Sequence, residues 1–301
     1  MTIGRGLALL GAVVACTASC RKTPQAKAEQ LHSLEAVRQR QLERRIAAAD
    51  GNRTKDAPLA MWIMPPELRE ISGLTLLANG HVLTHDDEIG VVYEIDPKTG
   101  IILKHFELDG KPRGDFEAIT TAGSDVYLLE SNGKLFKFKE GEDAGHVPYT
   151  TFDTRLGHEC EFESVAFEPD SSRLLLPCKN VKSKTLKGQL VIYRLPLPIT
   201  DTSTLSIMTI PMADVVGTNA WKKFQPADMA IDPTTKNYVM VGSLEKGIVE
   251  ITPGGEVVRS EPLPKGHNQA EGVAITPDGI LIVSDEATHK PAAMTLYRWR
   301  P

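Results

Sequence analysis

The sequence has no excess of basic charge, no long apolar run and none of the common catalytic motifs. Its 34 Lys and Arg residues against 39 Asp and Glu residues give a net charge of -5, so the composition gives no general reason to expect nucleic-acid binding. The apolar run from Gly6 to Ala15 is too short for a transmembrane helix, which needs about 20 residues. The chain contains no G-x-S-x-G elbow, no H-E-x-x-H zinc helix and no glycine-rich phosphate loop. Function therefore has to be sought in the pattern of the residues that are present.

Cysteine is also scarce, and two of the four cysteines lie within residues 1–20. The stretch "MTIGRGLALLGAVVACTASC" has the layout of a secretion signal, with a basic start, an apolar core and small residues before each cysteine. "VVAC" resembles a bacterial lipobox, and "TASC" is a looser version of it, which implies lipidation at Cys16 or Cys20. The alternative is a plain secreted protein in which these cysteines are incidental. We expect an exported lipoprotein of the cell envelope, in the periplasm or attached to the outer membrane.

The other two cysteines, Cys160 and Cys178, bound the stretch "CEFESVAFEPDSSRLLLPC". This pattern predicts two strands around a "PDSS" turn, which would bring the cysteines onto neighbouring strands. An oxidising compartment permits a disulfide there, although two buried thiols fit the pattern equally well. A zinc site that uses His158 is disfavoured because no second pair of soft ligands is evident.

Residues 21–58 differ in composition from the rest of the chain. They are rich in Ala, Gln, Glu and Arg and contain no Phe, Trp or Tyr. A thin apolar stripe at mostly helical spacing predicts a helix from Gln25 to Ala49, which the "DGN" sequence ends. We expect a solvated, charged helical spacer; a weak self-association surface and a basic face against anionic lipids remain as alternatives.

Residues 59–301 repeat a strand pattern five times. The segments that align as strand starts are "ISGLTL", "FEAITT", "FESVAF", "PADMAI" and "AEGVAI". The second positions of these segments are Ser72, Glu117, Glu163, Ala227 and Glu271, which are 45, 46, 64 and 44 residues apart. Each start is followed by further short strands that turn sequences separate, and this spacing is typical of propeller blades.

The fifth repeat has no fourth strand of its own, whereas a spare strand, "LAMWIMP" from Leu59 to Pro65, precedes the first repeat. We expect this strand to pair with the third strand of the last repeat and to close the ring, because closure protects sheet edges. The predicted fold is all-β: a five-bladed β-propeller closed by an N-terminal strand. The predicted divisions are a signal at 1–20, a spacer at 21–58 and the propeller at 59–301.

Glutamate recurs at the same phase in three of the five repeats. The first strand of a propeller blade lines the central channel, so Glu117, Glu163 and Glu271 should converge there. Clustered carboxylates repel one another, and their pKa values rise unless a cation offsets the charge. Ca²⁺ suits such a site. The acidic residues at the ends of the second strands could complete its oxygen ligands or define a binding surface: Asp86, Asp87, Glu130 and Asp285. In the alternative, each glutamate is paired locally with a lysine or backbone amides. Asp228, one position out of phase, is a weaker candidate.

Three stretches carry a resemblance to a known family: "EISGLTLLANGHVLTHDDEIGVVYEID", "DFEAITTAGSDVYLLES" and "AEGVAITPDGILIVSDE". They resemble the SdiA-regulated (YjiK-like) family of exported bacterial β-propellers, which is distantly similar to NHL-repeat proteins. The resemblance implies a five-bladed propeller with calcium in the channel region, and the acidic motif of the family falls on Glu117, Glu163 and Glu271. Ser72 and Ala227 depart from that motif, so the site would need waters or carbonyls as further ligands.

Two functions fit these expectations. The first is a non-catalytic, membrane-tethered protein that binds a small ligand or an envelope protein at its channel. The second is a calcium-dependent hydrolase, of lactonase or phosphoesterase type, in which the metal polarises the substrate. One of the glutamates or a histidine would then act as the base; the histidines considered are His85, His158, His267 and His289.

Overall fold

The computed structural model describes residues 24–51, 57–201 and 204–299. The predicted lipidation sites, Cys16 and Cys20, lie outside the described residues. Helix α1 spans Pro24–Gly51, helix α2 spans Met212–Val216, and a short 3-10 helix spans Pro66–Leu68. None of the helices in this part of the chain is long and apolar enough to cross a membrane.

The strands run from β1 to β22 in chain order. Their bounds are β1 (Ala60–Ile63), β2 (Thr75–Leu76), β3 (Val82–His85), β4 (Val91–Asp96), β5 (Ile101–Leu108), β6 (Phe116–Ala122), β7 (Asp125–Glu130), β8 (Lys134–Lys139), β9 (Gly145–Val147), β10 (Tyr149–Asp153), β11 (Cys160–Phe162), β12 (Ala166–Glu168), β13 (Arg173–Val181), β14 (Gln189–Pro196), β15 (Ser206–Pro211), β16 (Asp228–Ile231), β17 (Tyr238–Gly242), β18 (Gly247–Ile251), β19 (Val257–Pro262), β20 (Ala270–Ile275), β21 (Ile280–Asp285) and β22 (Ala293–Arg298).

These strands form five sheets, which are the blades of a five-bladed β-propeller, so the predicted fold is confirmed. In order from the channel outwards, blade 1 is β2-β3-β4-β5, blade 2 is β6-β7-β8-β10, blade 3 is β11 and β12 followed by β13-β14-β15, blade 4 is β16-β17-β18-β19, and blade 5 is β20-β21-β22-β1. Apolar side chains fill the spaces between neighbouring blades. Strand β9, which the sequence pattern did not predict, adds to blade 1 in parallel with β5.

The N-terminal strand closes the ring as predicted. Strand β1 pairs antiparallel with β22, in a register from Ala60 opposite Leu296 to Ile63 opposite Ala293. The indole of Trp62 also donates a hydrogen bond of 2.9 Å to the carbonyl of Pro97, in the turn that joins β4 and β5 of blade 1. The closing strand therefore joins the last blade to the first.

The second half of helix α1 packs against this closure. Leu42 is 2% exposed and belongs to the same apolar cluster as Trp62. The Arg38 guanidinium lies 4.9 Å from the centre of the Trp62 ring, and Arg38 donates a hydrogen bond to the carbonyl of Thr99. The helix includes the predicted span from Gln25 to Ala49, and one turn of its thin apolar stripe is buried against the ring, while most of its second half is exposed.

Candidate functional site

Each of the three glutamates lies at an irregularity in the backbone of the innermost strand of its blade. The register of β6 shifts between Phe116 and Ala118, so Glu117 is the extra residue of a β-bulge. Strand β20 has the same irregularity around Glu271. In blade 3 the inner strand is interrupted between β11 and β12, and Glu163 lies in the gap. A bulge re-aims the side chain that it carries, and such bulges are common beside functional sites.

The three glutamates share one cation, and that cation is a lysine. Lys179, on β13, forms an ion pair with Glu163. Its positive charge also acts on Glu117 and Glu271, where it opposes the rise in pKa that burial causes. The Lys179 side chain is 19% exposed and the Glu163 side chain 8%, so the pair is largely removed from water. The sequence predicted a metal ion among these glutamates, with a lysine partner as the alternative; the positive charge that the structure shows beside Glu163 is the Lys179 ammonium group.

One lysine does not offset the negative charge of this region. Burial raises the pKa of Glu117 to about 8; Asp115 adds to the rise, while Lys179 opposes it. Burial likewise raises the pKa of Glu271, against the effect of Lys179 and of hydrogen bonds with Ser243 and Gln269. A raised carboxyl pKa means that the ionised form lacks sufficient compensation by positive charge or hydrogen bonds.

Further carboxylates surround these three. Burial raises the pKa of Asp87, with Glu70 as the next contributor, and burial also raises the pKa of Glu286, with Glu271 next. One oxygen of Glu163 and one of Asp87 are buried and have no hydrogen-bond partner in the described part of the protein. We call the set Glu70, Asp87, Glu117, Glu163, Glu271 and Glu286, with Lys179, the acidic cluster.

Asp86 and Asp285, predicted as additional metal ligands, are engaged elsewhere. Asp86 accepts the backbone N–H groups of Glu88 and Ile89, both at 3.0 Å, and so stabilises the turn after β3. Asp285 lies 2.6 Å from the Nδ1 atom of His267 and accepts the N–H of Asn268 at 2.9 Å. Among the other predicted oxygen donors, Glu130 accepts a hydrogen bond of 3.1 Å from Asn132.

Asp228 is a buried carboxyl that the sequence marked only as a weaker candidate, because it lies one position out of phase with the glutamates of the other repeats. It is the first residue of β16 in blade 4 and is fully buried. One of its oxygens accepts the N–H groups of Leu74 (3.1 Å, blade 1) and Val273 (2.8 Å, blade 5), and the other lies 3.5 Å from the hydroxyl of Ser164 (blade 3). Burial raises the pKa of Asp228 to about 8. A single side chain thus links blade 4 to three other blades.

The four candidate histidines lie in different environments. His85 is fully buried; burial lowers its pKa to about 4, so its ring is neutral, and its Nδ1 atom lies 3.1 Å from the carbonyl oxygen of Asp86. His267 is held between Asp285 and the Tyr297 hydroxyl, at 2.6 and 2.8 Å. His158 has a 74% exposed side chain beside Glu159, and His289 is exposed beside Thr288.

Within the described ranges, no group of three or more His, Cys, Asp or Glu residues is arranged to hold a metal ion. The donor chemistry nevertheless fits a hard cation in part, since the acidic cluster supplies carboxylate oxygens, one of them on Glu163 buried and without a partner. The ammonium group of Lys179 already lies beside Glu163, where a bound metal ion would have to lie to use this carboxylate. Calcium therefore stays a prediction, and it would compete with this ammonium group.

A disulfide joins Cys160 and Cys178, whose Cα atoms are 5.7 Å apart. It links β11 to β13 directly beside Lys179, where the pairing of the two strands is irregular at Glu161 and Phe162. This is one of the two alternatives that the sequence left open. The bond holds the strand that carries Lys179 against the inner strand that leads to Glu163.

Solved structures with the same fold differ widely from this chain in sequence. The chain is similar to the glutaminyl cyclase of Myxococcus xanthus, with a TM-score of 0.54 and 12% identity over 80% of this chain and 94% of the other. It is similar to a luciferin-regenerating enzyme, with a TM-score of 0.51 and 12% identity over 80% and 95% of the two chains. The PQQ-bound aldose sugar dehydrogenase of Streptomyces coelicolor gives a TM-score of 0.50 and 14% identity over 80% and 99%.

No protein-family model matches the chain, and no curated protein matches it. At these identities, the likeness to solved structures defines the class of protein, a β-propeller, and nothing finer. The resemblance to the SdiA-regulated family stays a prediction.

Proposed function

We propose that this propeller is a binding protein of the cell envelope that takes a cationic ligand at its acidic cluster, with Ca²⁺ as the candidate inorganic ligand. The observation that carries the proposal is the excess of half-buried and buried carboxyl groups over the positive charge near them, which comes from Lys179 beside Glu163 and from Arg69 at 4.0 Å from Glu70. A ligand with positive charge would supply the compensation that these carboxyl groups lack.

Proton release is the physical signature of such binding. The pKa of Glu117 is raised to about 8, and the pKa of Glu271 is also raised, so both groups retain protons at a pH where ordinary carboxyl groups have lost them. A bound cation lowers both pKa values because it stabilises the ionised forms. Binding at neutral pH should therefore expel protons, and affinity should increase as the pH rises through about 8.

Lys179 acts as a built-in competitor in this proposal. Its ammonium group already pairs with Glu163, so a divalent cation that uses the same carboxylate must displace it. Calcium takes six to eight oxygens at roughly 2.3 to 2.6 Å, and waters would have to complete the set. Removal of the lysine charge should increase the affinity for Ca²⁺.

The envelope location rests on residues outside the described part of the chain. Lipidation at Cys16 or Cys20 would tether the propeller to a membrane, where it meets a small ligand or an envelope protein. Mass spectrometry of protein purified from membranes should show an acylated N-terminal cysteine. A soluble, unmodified form that begins after the signal would remove the tether and leave the ligand proposal intact.

Binding is preferred over the hydrolase alternative because of where the histidines lie. His158 and His289 are exposed, and His267 is held by Asp285 and Tyr297. His85, which lies beside the Glu117 backbone, is fully buried. A general base has to reach the proton that it abstracts, and none of these four arrangements provides an accessible base within the acidic cluster.

Titration calorimetry of the purified protein with Ca²⁺, in two buffers of different ionisation enthalpy, tests the proposal. We expect binding accompanied by proton release, a loss of at least tenfold in affinity in Glu163→Gln, and a gain of about tenfold in Lys179→Met. Glu256→Gln, which changes an exposed glutamate in the turn between β18 and β19, is the matched control and should bind as the wild type does.

The proposal fails for calcium if no heat and no proton release accompany titration, or if Glu163→Gln binds as the wild type does. The same proteins should then be assayed on panels of lactones and phosphoesters with and without Ca²⁺. Calcium-dependent turnover that disappears in Glu163→Gln would support the hydrolase instead.

A further inference from the structure

A cavity lies on the side of the ring, between blades 4 and 5 and next to the C-terminal end of helix α1. Its volume is about 990 Å³. The walls come from β18 and β19 of blade 4, from β21 and β22 of blade 5, and from the last turns of α1. None of the residues of the acidic cluster lines it. The size is at the upper end of the range of roughly 300 to 1,000 Å³ that small-molecule sites occupy.

The floor of this cavity is part of the apolar core between the two blades. Five residues line the cavity and also belong to the cluster that joins blade 4 to blade 5: Ile248, Leu263, Leu281, Tyr297 and Trp299. Leu263 and Trp299 are each 6% exposed. Pro262 and Pro264 extend the apolar wall. An apolar body that enters here would be removed from water by side chains that the fold already holds in place.

The rim of the cavity is basic. Arg45, Arg259, Lys265 and Arg298 line it, with Glu261 as the acidic residue of the lining. The Arg259 guanidinium stacks 4.6 Å from the centre of the Trp299 ring, and Arg298 is anchored 2.7 Å from Asp50. These contacts fix two of the positive charges beside the apolar floor.

Among the described residues, the other two positive charges on the rim have no acidic partner. Arg45 donates a hydrogen bond of 3.2 Å to the carbonyl of Leu59, and within the described residues neither Arg45 nor Lys265 lies within 4.0 Å of a carboxylate. Arg45 and Lys265 reach the cavity from different elements, the helix and the loop after β19. A negatively charged group at the mouth could therefore meet two uncompensated cations.

We propose that this cavity binds a small amphiphile with an anionic head and an apolar body, the head at the basic rim and the body against the interblade core. Two features of the cavity point to this class of ligand. The apolar floor favours a hydrocarbon or aromatic body, and the charge of the rim selects a carboxylate, sulfate or phosphate over a cation. The site is independent of the acidic cluster, so the two proposals stand or fall separately.

Calorimetric titration of the full protein with dodecanoate, below its micelle concentration, tests this inference. Dodecanoate should bind, whereas butyrate, which has the same head without the body, and dodecyltrimethylammonium, which has the same body with the opposite charge, should bind at least tenfold more weakly. Ala48→Trp fills the mouth from an exposed position of helix α1 and should weaken dodecanoate binding at least tenfold. Lys265→Gln should weaken it by about three- to tenfold through lost charge.

Lys187→Gln, at an exposed lysine in the loop between β13 and β14, is the control for Lys265→Gln and should bind dodecanoate as the wild type does. Two results would overturn the inference. The first is no binding of dodecanoate up to about 1 mM. The second is binding that neither Ala48→Trp nor Lys265→Gln weakens, or that dodecyltrimethylammonium reproduces, which would indicate non-specific adsorption of the hydrocarbon chain.

Discussion

Replacement of Asp228 tests how one buried carboxyl joins four blades. In Asp228→Ala, the N–H groups of Leu74 and Val273 lose their acceptor inside the core. Each orphaned buried donor costs about 1 to 3 kcal/mol, so the variant should lose about 4 kcal/mol of stability. For a domain of this size, that loss corresponds to a fall of about 8 to 16 °C in melting temperature.

Asp228→Asn should behave differently, because an amide reproduces the shape and hydrogen bonding of the neutral acid. Its oxygen can accept both N–H groups, and its NH₂ group can donate to the Ser164 hydroxyl. Near pH 4 the raised pKa of about 8 keeps Asp228 protonated in the folded protein, and the unfolded chain is still partly protonated at this position. The Asn variant should therefore melt within a few degrees of the wild type at that pH.

The pH dependence follows from the same pKa. The folded state holds the Asp228 proton more tightly than the unfolded state, where the pKa is 3.8. The contribution to stability is complete below about pH 4 and is lost as the pH rises through about 8. The interval between these pKa values corresponds to roughly 6 kcal/mol, which the wild type would lose relative to Asp228→Asn by pH 9.

Thermal unfolding of the wild type, Asp228→Asn and Asp228→Ala, followed by circular dichroism at pH 4 and pH 9, measures these differences. We expect wild type and Asn to be similar at pH 4, Asn to be the more stable at pH 9, and Ala to be the least stable at pH 4. If Asn is as unstable as Ala at pH 4, the native state requires the ionised carboxylate, and the argument from a neutral buried acid is wrong.

Three other changes probe separate parts of the ring. Lys179→Met should lower the free energy of unfolding, measured by chemical denaturation, by about 3 kcal/mol because it leaves Glu163 buried without its partner. The double variant with Glu163→Gln should recover most of that loss. An equal or larger loss in the double variant would contradict this explanation. Trp62→Ala should cost about 3 to 5 kcal/mol and speed proteolysis within helix α1, whereas unchanged cleavage would show that the helix is held by other contacts. Cys160→Ser should lower the free energy of unfolding by about 3 kcal/mol under oxidising conditions, and a reducing agent should then no longer change the stability. If the variant stays sensitive to the reducing agent, the disulfide to Cys178 is not the source of that sensitivity.

The architecture could be predicted because its signals are local and repeated. Turn sequences such as "ANG" and "SNGK" and the alternation of apolar residues recur in each blade, and the spare strand was identified because the last repeat lacked one. Strand β9 was missed because it has three residues, and it pairs with β5, a partner about 40 residues earlier. Nothing in its own sequence specifies that partner.

The site residues stay a prediction. The repeat phase singled out Glu117, Glu163 and Glu271, but it did not indicate Lys179, whose charge acts on all three from β13, a different strand of blade 3. A signal was present: at the ends of the second strands, Lys179 is basic where other repeats carry Asp86 or Asp285.

Asp228 was undervalued for a related reason. Alignment of the repeats compares positions along one strand of each blade. The environment of the Asp228 carboxyl is instead set by N–H groups of two other blades, those of Leu74 and Val273. Contacts of that kind span more than 40 residues of sequence and have no local pattern.

The pairing of β1 with β22 has a consequence for the order of folding. The first strand of the ring to leave the ribosome has its partner among the last residues described, with Ala60 opposite Leu296. Blade 5 therefore cannot be completed before the residues of β22 have been synthesised, and Trp62 and its neighbours must wait for them. Joining ends so distant in sequence makes closure a slow, late event, and the interval before it is when the nascent protein most needs protection from aggregation.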